Sequence, residues 1–318
     1  MNNYQQVWLD YLENNYFPTW ARYVKTIEYS VFKDMVNNDF EKTKQWILDM
    51  LSGDIVILKN AIPKDTTKQI REDLYEYRYN VLKSDSKTNE SILPNSITKN
   101  LSLLSENPDK EFYMTKYKIG GGGYDEIGHS YYFYRWNEDE FNIFSKIDDV
   151  WNTVKKFNGL DINDYKSNKS RYGIIDRIQT IHYPINVGGI TTHCDWLSPL
   201  TQKTNLTISL TERGENFESG GQYFLNKKEE KVDSEFYTNA GDAPLFVSSI
   251  FHGVNKPRSS NMISDWEKMD GRWQIIATNV QSSYVKNRVP SYSLKRYKKN
   301  SKEIAERYRE ELERLHGL

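Results

Sequence analysis

Apolar and polar positions repeat with two different periods along this chain, and the change between them divides it. Over residues 1–50 apolar side chains recur at helical spacing, as in Trp8, Tyr11 and Leu12 and again in Trp46, Ile47 and Met50, which predicts helices. Asp54 to Leu58 (DIVIL) is a β-branched run and predicts a strand. It leads through Ile62-Pro63 into a helical stretch from Lys64 to Leu82. Residues 84–110, rich in Ser, Asn, Lys and Pro, predict a loop. An aromatic segment follows from Glu111 to Trp136, interrupted by Gly120 to Gly123, and Glu138 to Phe157 predicts a further helix.

Beyond Arg171 short strands separated by turns replace the helical period. They are expected near 174–183, 189–195, 204–211, 220–226, 231–238, 244–250, 252–256 and 272–280. So many short strands in about a hundred residues predict a barrel or sandwich rather than a parallel α/β sheet. Lys302 to Leu315 predicts an amphipathic helix with Ile304, Tyr308, Leu312 and Leu315 on one face. The expected class is mainly β with flanking helices, in one domain of three parts. These are an N-terminal helical and lid region (1–170), a strand-rich core (171–285) and a C-terminal helix (286–318).

Composition narrows the partners. Lys and Arg number 43 against 44 Asp and Glu, so no overall basic field draws in a polyanion and nucleic acid is not an expected partner. Cys194 is the one cysteine, which excludes an intrachain disulfide. Met1 to Asn15 has neither a basic n-region nor an apolar h-region, and no run approaches the roughly 18 apolar residues of a membrane span. The expectation is a soluble cytoplasmic protein with no membrane partner. Aromatic residues make up 14% of the chain, material for a ligand pocket as well as a core.

Candidate chemistry lies in two of the five histidine contexts. In Thr191-Thr192-His193-Cys194-Asp195, strand geometry points the His193 and Asp195 side chains to one face and Cys194 to the other. The second context is Phe251-His252-Gly253-Val254, after the apolar run Pro244 to Ile250. Two imidazoles and one carboxylate on one side of a metal leave positions open for other ligands, the arrangement of non-haem iron(II) oxygenases. A His-x-Asp arises readily by chance, and a lone strand histidine is more often a satisfied core residue, so the pair acquires weight only from its surroundings. Gly120 to Gly123 matches neither a phosphate-binding loop nor a dinucleotide fingerprint and reads as a flexible hinge.

Those surroundings have an order. His193-Cys194-Asp195 is followed by Gly220-Gly221, Gly241-Asp242, His252-Gly253-Val254 and Gly271-Arg272, with the strand beginning at Asn205 between the first two. In this order, and in the N-terminal stretch DIVILKNAIPKDTTKQI, the chain resembles the iron(II)/2-oxoglutarate-dependent dioxygenase superfamily, in its prolyl hydroxylase and phytanoyl-CoA hydroxylase-like branch. The resemblance covers about residues 54–82 and 171–281. It implies a double-stranded β-helix (jelly-roll, cupin-like) core and His193, Asp195 and His252 as metal ligands and catalytic centre. It also implies iron(II), 2-oxoglutarate and O2 as cofactor and co-substrates, with ascorbate a candidate stimulant.

The resemblance further implies a cationic anchor for the far carboxylate of 2-oxoglutarate, a role that guanidinium fills better than ammonium. Arg272, which opens a strand, is favoured. Its gap from His252 is longer than the family's and implies an insertion over Ser259 to Asp270, which keeps Arg258 as a rival. Tyr183 resembles a family position whose hydroxyl binds the co-substrate, and Thr207 and Ser209 share a strand face that reaches it. Asp195 argues against halogenation, which in this family has Gly or Ala at that position. Hydroxylation of a small polar molecule, such as an amino acid or a natural-product precursor, is the expected activity. Tyr117, Tyr124, Tyr131, Tyr134 and Trp136 supply either a lid over it or core packing. A peptidyl or protein hydroxylase is the alternative enzyme, and a non-enzymatic cupin-like binding protein the alternative outside enzymes.

Overall fold

A computed structural model of the chain describes residues 3–13, 19–84, 117–119, 125–136, 139, 141–262, 268–282, 285 and 291–316. The N-terminal helical periodicity gives α1 (Asn3–Leu12), α2 (Tyr29–Asn38) and α3 (Phe40–Leu51). α1 buries Tyr4, Val7, Trp8 and Leu12, a stripe at helical spacing. Asp39 caps α3 by accepting a hydrogen bond from the Lys42 amide at 3.0 Å.

The expectation of helix throughout 1–50 fails at one place. Val24–Glu28 is a strand, β1, lying parallel to β2 (Ile55–Lys59). Its residues are half-buried or exposed, so it carries no apolar run, and the partner that makes it a strand lies some thirty residues away. β2 and the following α4 (Lys64–Ser84) stand where the pattern puts them.

The aromatic segment contributes β3 (Tyr117–Ile119), β4 (Asp125–Ile127) and β5 (His129–Tyr134). Tyr131 and Tyr134 are buried in β5, and Trp136 stacks on Tyr134, so for these three the core reading holds and the lid reading does not. Tyr124, the Gly120–Gly123 hinge and the loop beyond Ser84 lie outside the described residues. Helix α5 (Ile143–Phe157) follows. It is tied to the core by the buried Lys155, whose Nζ lies 2.7 Å from Asp176 Oδ2, while the Trp151 indole donates to the other Asp176 oxygen. Burial lowers the Lys155 pKa against the pull of that carboxylate.

All eight strands expected after Arg171 are present: β6 (Ile174–Pro184), β7 (Gly189–Asp195), β8 (Thr204–Ser209), β9 (Ser219–Leu225), β10 (Lys231–Asp233), β11 (Ala243–Val247), β12 (His252–Arg258) and β13 (Gly271–Gln281). They alternate between two sheets, except that β9 and β10 form a hairpin within one of them. One runs β1-β2-β11-β8-β13-β6-β5 and the other β10-β9-β12-β7-β4-β3, with β14 (Ser291–Ser293) also on β7. Within the eight, β6, β8, β11 and β13 share one sheet and β7, β9, β10 and β12 the other, and every pairing among them is antiparallel. That alternation is the double-stranded β-helix. The last helix, α6, spans Leu294–His316 with a non-helical Asn300 inside, eight residues longer at its start than the pattern predicts.

The strand period of two sorts side chains to opposite faces of the first sheet. Leu206, Ile208, Trp273 and Ile275 face out and join Trp8, Phe32, Ile147 and Trp151 in one apolar cluster under the helices. The intervening residues Asn205, Thr207, Ser209, Arg272 and Gln274 are polar and buried, and they face into the barrel. So many inward polar groups in a fold that could fill its interior with apolar side chains mark an interior built for chemistry. Among the described residues no helix is long and apolar enough to cross a membrane.

Candidate metal centre

β7 and β12 are neighbours, and His193 pairs directly with His252 across them. The register then slips: Val254 pairs with Ile190, so two steps on β12 match three on β7. This bulge lets Ile190 pack inward with Val254 while His193, three residues on, also faces His252. Beyond His252, Gly253 is required by crowding. A Cβ there would sit 2.5 Å from the Tyr223 hydroxyl oxygen, which crosses the strand to bond Thr192 at 2.7 Å.

The three side chains converge. One donor atom from each of His193, Asp195 and His252 lies within 4.8 Å of the others, the one such group of His, Cys, Asp or Glu among the described residues. His193 Nε2 is 3.9 Å from Asp195 Oδ1, and His252 Nε2 is 3.6 Å from Asp195 Oδ2. These separations are too long for hydrogen bonds and suit donors that each reach one ion at roughly 2 Å.

The imidazoles are held for that task. His193 Nδ1–H donates to the Thr191 carbonyl at 2.9 Å, and His252 Nδ1–H to the Ile250 carbonyl at 2.8 Å. A carbonyl only accepts, so Nδ1 carries a proton and Nε2 is the ring nitrogen left to face the shared space. Asp195 is fixed as well: its Oδ2 accepts from Asn205 Nδ2 at 2.5 Å. Asn205 is itself held, its Oδ1 accepting from Gln202 Nε2 at 2.9 Å. Phe246 stands edge-on against the His252 ring at 4.8 Å. The donor set of two imidazoles and one carboxylate, with no thiolate, fits iron(II). Cys194 is on the far face as its position predicts, and burial drives its pKa far up.

At the other end of the barrel lies Arg272, fully buried at the start of β13 and paired in register with Tyr183 of β6. Its Nε donates to Glu235 Oε1 at 2.6 Å and its Nη1 to Gln274 Oε1 at 2.5 Å, while Nη2 is buried with no hydrogen-bond partner. Arg258, the rival, is exposed at the end of β12. Thr207 is inward and buried, but its hydroxyl is spent on the Pro244 carbonyl at 3.3 Å. Ser209, opposite Gln274, has a buried hydroxyl with no partner. Asn205, Thr207 and Ser209 thus form an inward line from the triad to the arginine. That is about 13 Å of strand at roughly 3.3 Å per residue, shortened from both ends by side-chain reach.

Three residues of this interior escape a reading of the sequence: Asn205, Glu235 and Gln274. Asn205 and Gln274 sit on strands at inward positions, so alternation from Thr207 and Arg272 locates them once the face is known. Glu235 has only an indirect signal, Gly221, which makes room for it.

No protein-family model and no curated protein matches the chain. Among solved structures it is similar to a Trichoplax adhaerens prolyl hydroxylase in complex with a hypoxia inducible factor peptide fragment, at 14% identity and a TM-score of 0.44. That match covers 79% of this chain and 91% of the other. It is also similar to a full-length Neurospora crassa protein solved in complex with alpha-KG, at 15% identity and a TM-score of 0.43, over 81% and 85% of the two chains. A Burkholderia pseudomallei oxidoreductase of the 2OG-Fe(II) oxygenase family matches over 86% of this chain and 100% of its own, at 8% identity and a TM-score of 0.35.

Proposed function

We propose that this chain is an iron(II)- and 2-oxoglutarate-dependent oxygenase that hydroxylates a small polar molecule, such as an amino acid or a natural-product precursor. The observation that carries the reading is the coexistence, inside one barrel, of two features: a facial His-Asp-His donor set with both Nε2 atoms aimed into one shared space, and a buried guanidinium with an unfilled donor. His193, Asp195 and His252 hold the metal. Iron bound there supplies the oxidising chemistry, in which 2-oxoglutarate and O2 become succinate and CO2 while one oxygen atom enters a C–H bond of the substrate.

The protein's own part is placement. Thr191 and Ile250 fix the two imidazole rings through their carbonyls, and Asn205 fixes the Asp195 carboxylate. Arg272 takes the far carboxylate of the diacid at Nη2, with the Ser209 hydroxyl and Tyr183 beside it. Phe246 and Phe224 pack against the His252 ring. The near balance of 43 basic against 44 acidic residues gives no reason to prefer a polyanionic substrate.

The test is anaerobic. Iron(II) and 2-oxoglutarate added together to the purified protein should give the visible charge-transfer absorption of a chelated 2-oxo acid, and air should then yield succinate. His193→Ala or Asp195→Ala should lose the absorption and weaken iron binding while the far-UV spectrum stays native. Free amino acids and small polar metabolites, then a peptide library, should reveal the compound that accelerates succinate release and gains one oxygen. Correctly folded, iron-loaded protein that neither binds 2-oxoglutarate nor forms succinate would leave a non-enzymatic barrel. Acceleration by peptides alone would replace the small molecule with a peptide substrate.

A further inference from the structure

The buried guanidinium of Arg272 already has an anion. Glu235 and Arg272 are both buried, with side-chain exposures of 1% and 2%, and Arg272 Nε lies 2.6 Å from Glu235 Oε1. The same oxygen also accepts the Gln222 amide at 2.7 Å, while Glu235 Oε2 is buried with no hydrogen-bond partner. The local fold is shaped to bring this carboxylate in. β10 stops at Asp233, Ser234 bonds the Gln222 carbonyl through both its amide and its hydroxyl, and the chain turns inward. The Glu235 amide donates to Asp233 Oδ1 at 2.9 Å, and Gly221 opposite offers no side chain. A Cβ on Gly221 would lie 2.4 Å from Glu235 Cγ, and its φ of +98° is a glycine conformation besides.

We infer that Glu235 is a resident counter-ion of the co-substrate anchor, a specificity-determining residue that limits how strongly Arg272 holds the far carboxylate of a 2-oxo diacid. The inference rests on the oxygenase reading and goes beyond it. A bare buried guanidinium would meet an incoming carboxylate as an uncompensated cation. Here the pair is neutral before the ligand arrives, and the ligand makes the cluster one Arg against two carboxylates. The second carboxylate reaches Nη2 within several ångströms of Glu235, where like charges repel strongly in a water-poor interior. Glu235 therefore sets the orientation of Arg272 through Nε, leaves only Nη2 and the second Nη1 proton for the ligand, and reduces the gain from a second negative charge. The discrimination between a 2-oxo diacid and a 2-oxo monoacid of the same length is compressed.

Calorimetric binding under anaerobic conditions to the iron(II)-loaded protein tests this, with 2-oxoglutarate and with 2-oxopentanoate, which lacks the far carboxylate. Glu235→Gln keeps an oxygen for both Arg272 Nε and the Gln222 amide and removes only the charge. It should tighten 2-oxoglutarate binding by at least about tenfold, or ~1.4 kcal/mol, and leave 2-oxopentanoate unchanged. Glu235→Asp, which keeps the charge, should leave the ratio of the two affinities near the wild-type value. Weaker or unchanged 2-oxoglutarate binding by a folded Glu235→Gln protein overturns the inference and leaves the oxygenase reading standing. Should that variant not fold, the wild type decides alone: a 2-oxoglutarate preference of about tenfold or less supports the counter-ion, and a preference of a hundredfold or more overturns it. Absence of any 2-oxoglutarate binding to wild type removes the oxygenase reading itself, and the counter-ion with it.

Discussion

Lys203, just before β8, offers a quantitative test of what burial costs in this fold. Its ammonium is buried with no hydrogen-bond partner, and burial lowers its pKa from 10.5 to about 7, outweighing the more distant Asp164 and Glu311. The unfolded chain keeps the ordinary value, so between pH 7 and 10.5 the unfolded state binds more protons and stability rises with pH. The cost of burying Lys203 is fully present below about pH 7 and gone above 10.5. A drop from 10.5 to about 7 amounts to roughly 5 kcal/mol at 1.36 kcal/mol per pKa unit. Lys203→Met, similar in length and uncharged, should therefore stabilise the protein by several kcal/mol at pH 6.5, and by only about 1–2 kcal/mol at pH 9.5. Urea midpoints of both proteins at the two pH values measure this. A Met variant less stable than wild type at pH 6.5, or a stability gap equal at both pH values, would refute the reasoning.

Two further outcomes follow from the site. Asn205→Ala removes the hydrogen bond to Asp195 and should weaken iron(II) binding by about 10- to 100-fold without unfolding the protein, read by metal titration under nitrogen. Arg272→Ala should weaken 2-oxoglutarate binding by a hundredfold or more, because Glu235 is then left as a bare carboxylate against the ligand, whereas Arg258→Ala at the exposed end of β12 should leave it unchanged. Equal losses from both arginines in a calorimetric titration would show that neither is the anchor.

Most of the fold was legible because its strands are local patterns. The alternation in 174–280 places eight strands close to where they lie, and the β-branched DIVIL run places β2. β1 was not legible, since its five residues have no buried face of their own and owe their state to β2. The spacing of His193 and Asp195 on one strand makes their shared face readable from the period alone. The approach of His252 is a matter of register between β7 and β12, and the bulge that sets it leaves no mark in the sequence. Glu235 is the clearest case of a residue outside any pattern: it stands two residues beyond the end of a short strand, where only the shape of the turn sends it inward.

The two carbonyls that hold the histidines come from the same chain segments as the rings they hold, each two residues upstream. Each imidazole's aim is thus written into its own stretch of backbone, while Asp195 takes its aim from Asn205 on β8. Zinc fingers stand at the opposite pole, where the metal is the core and the empty peptide is a coil. In this protein, on the proposed function, the apolar cluster and the paired strands supply the core instead of the metal, so strong chelators should strip it to an intact, reloadable shell. Iron scarcity would then change how many molecules are charged at a given moment without sending the empty ones to be degraded.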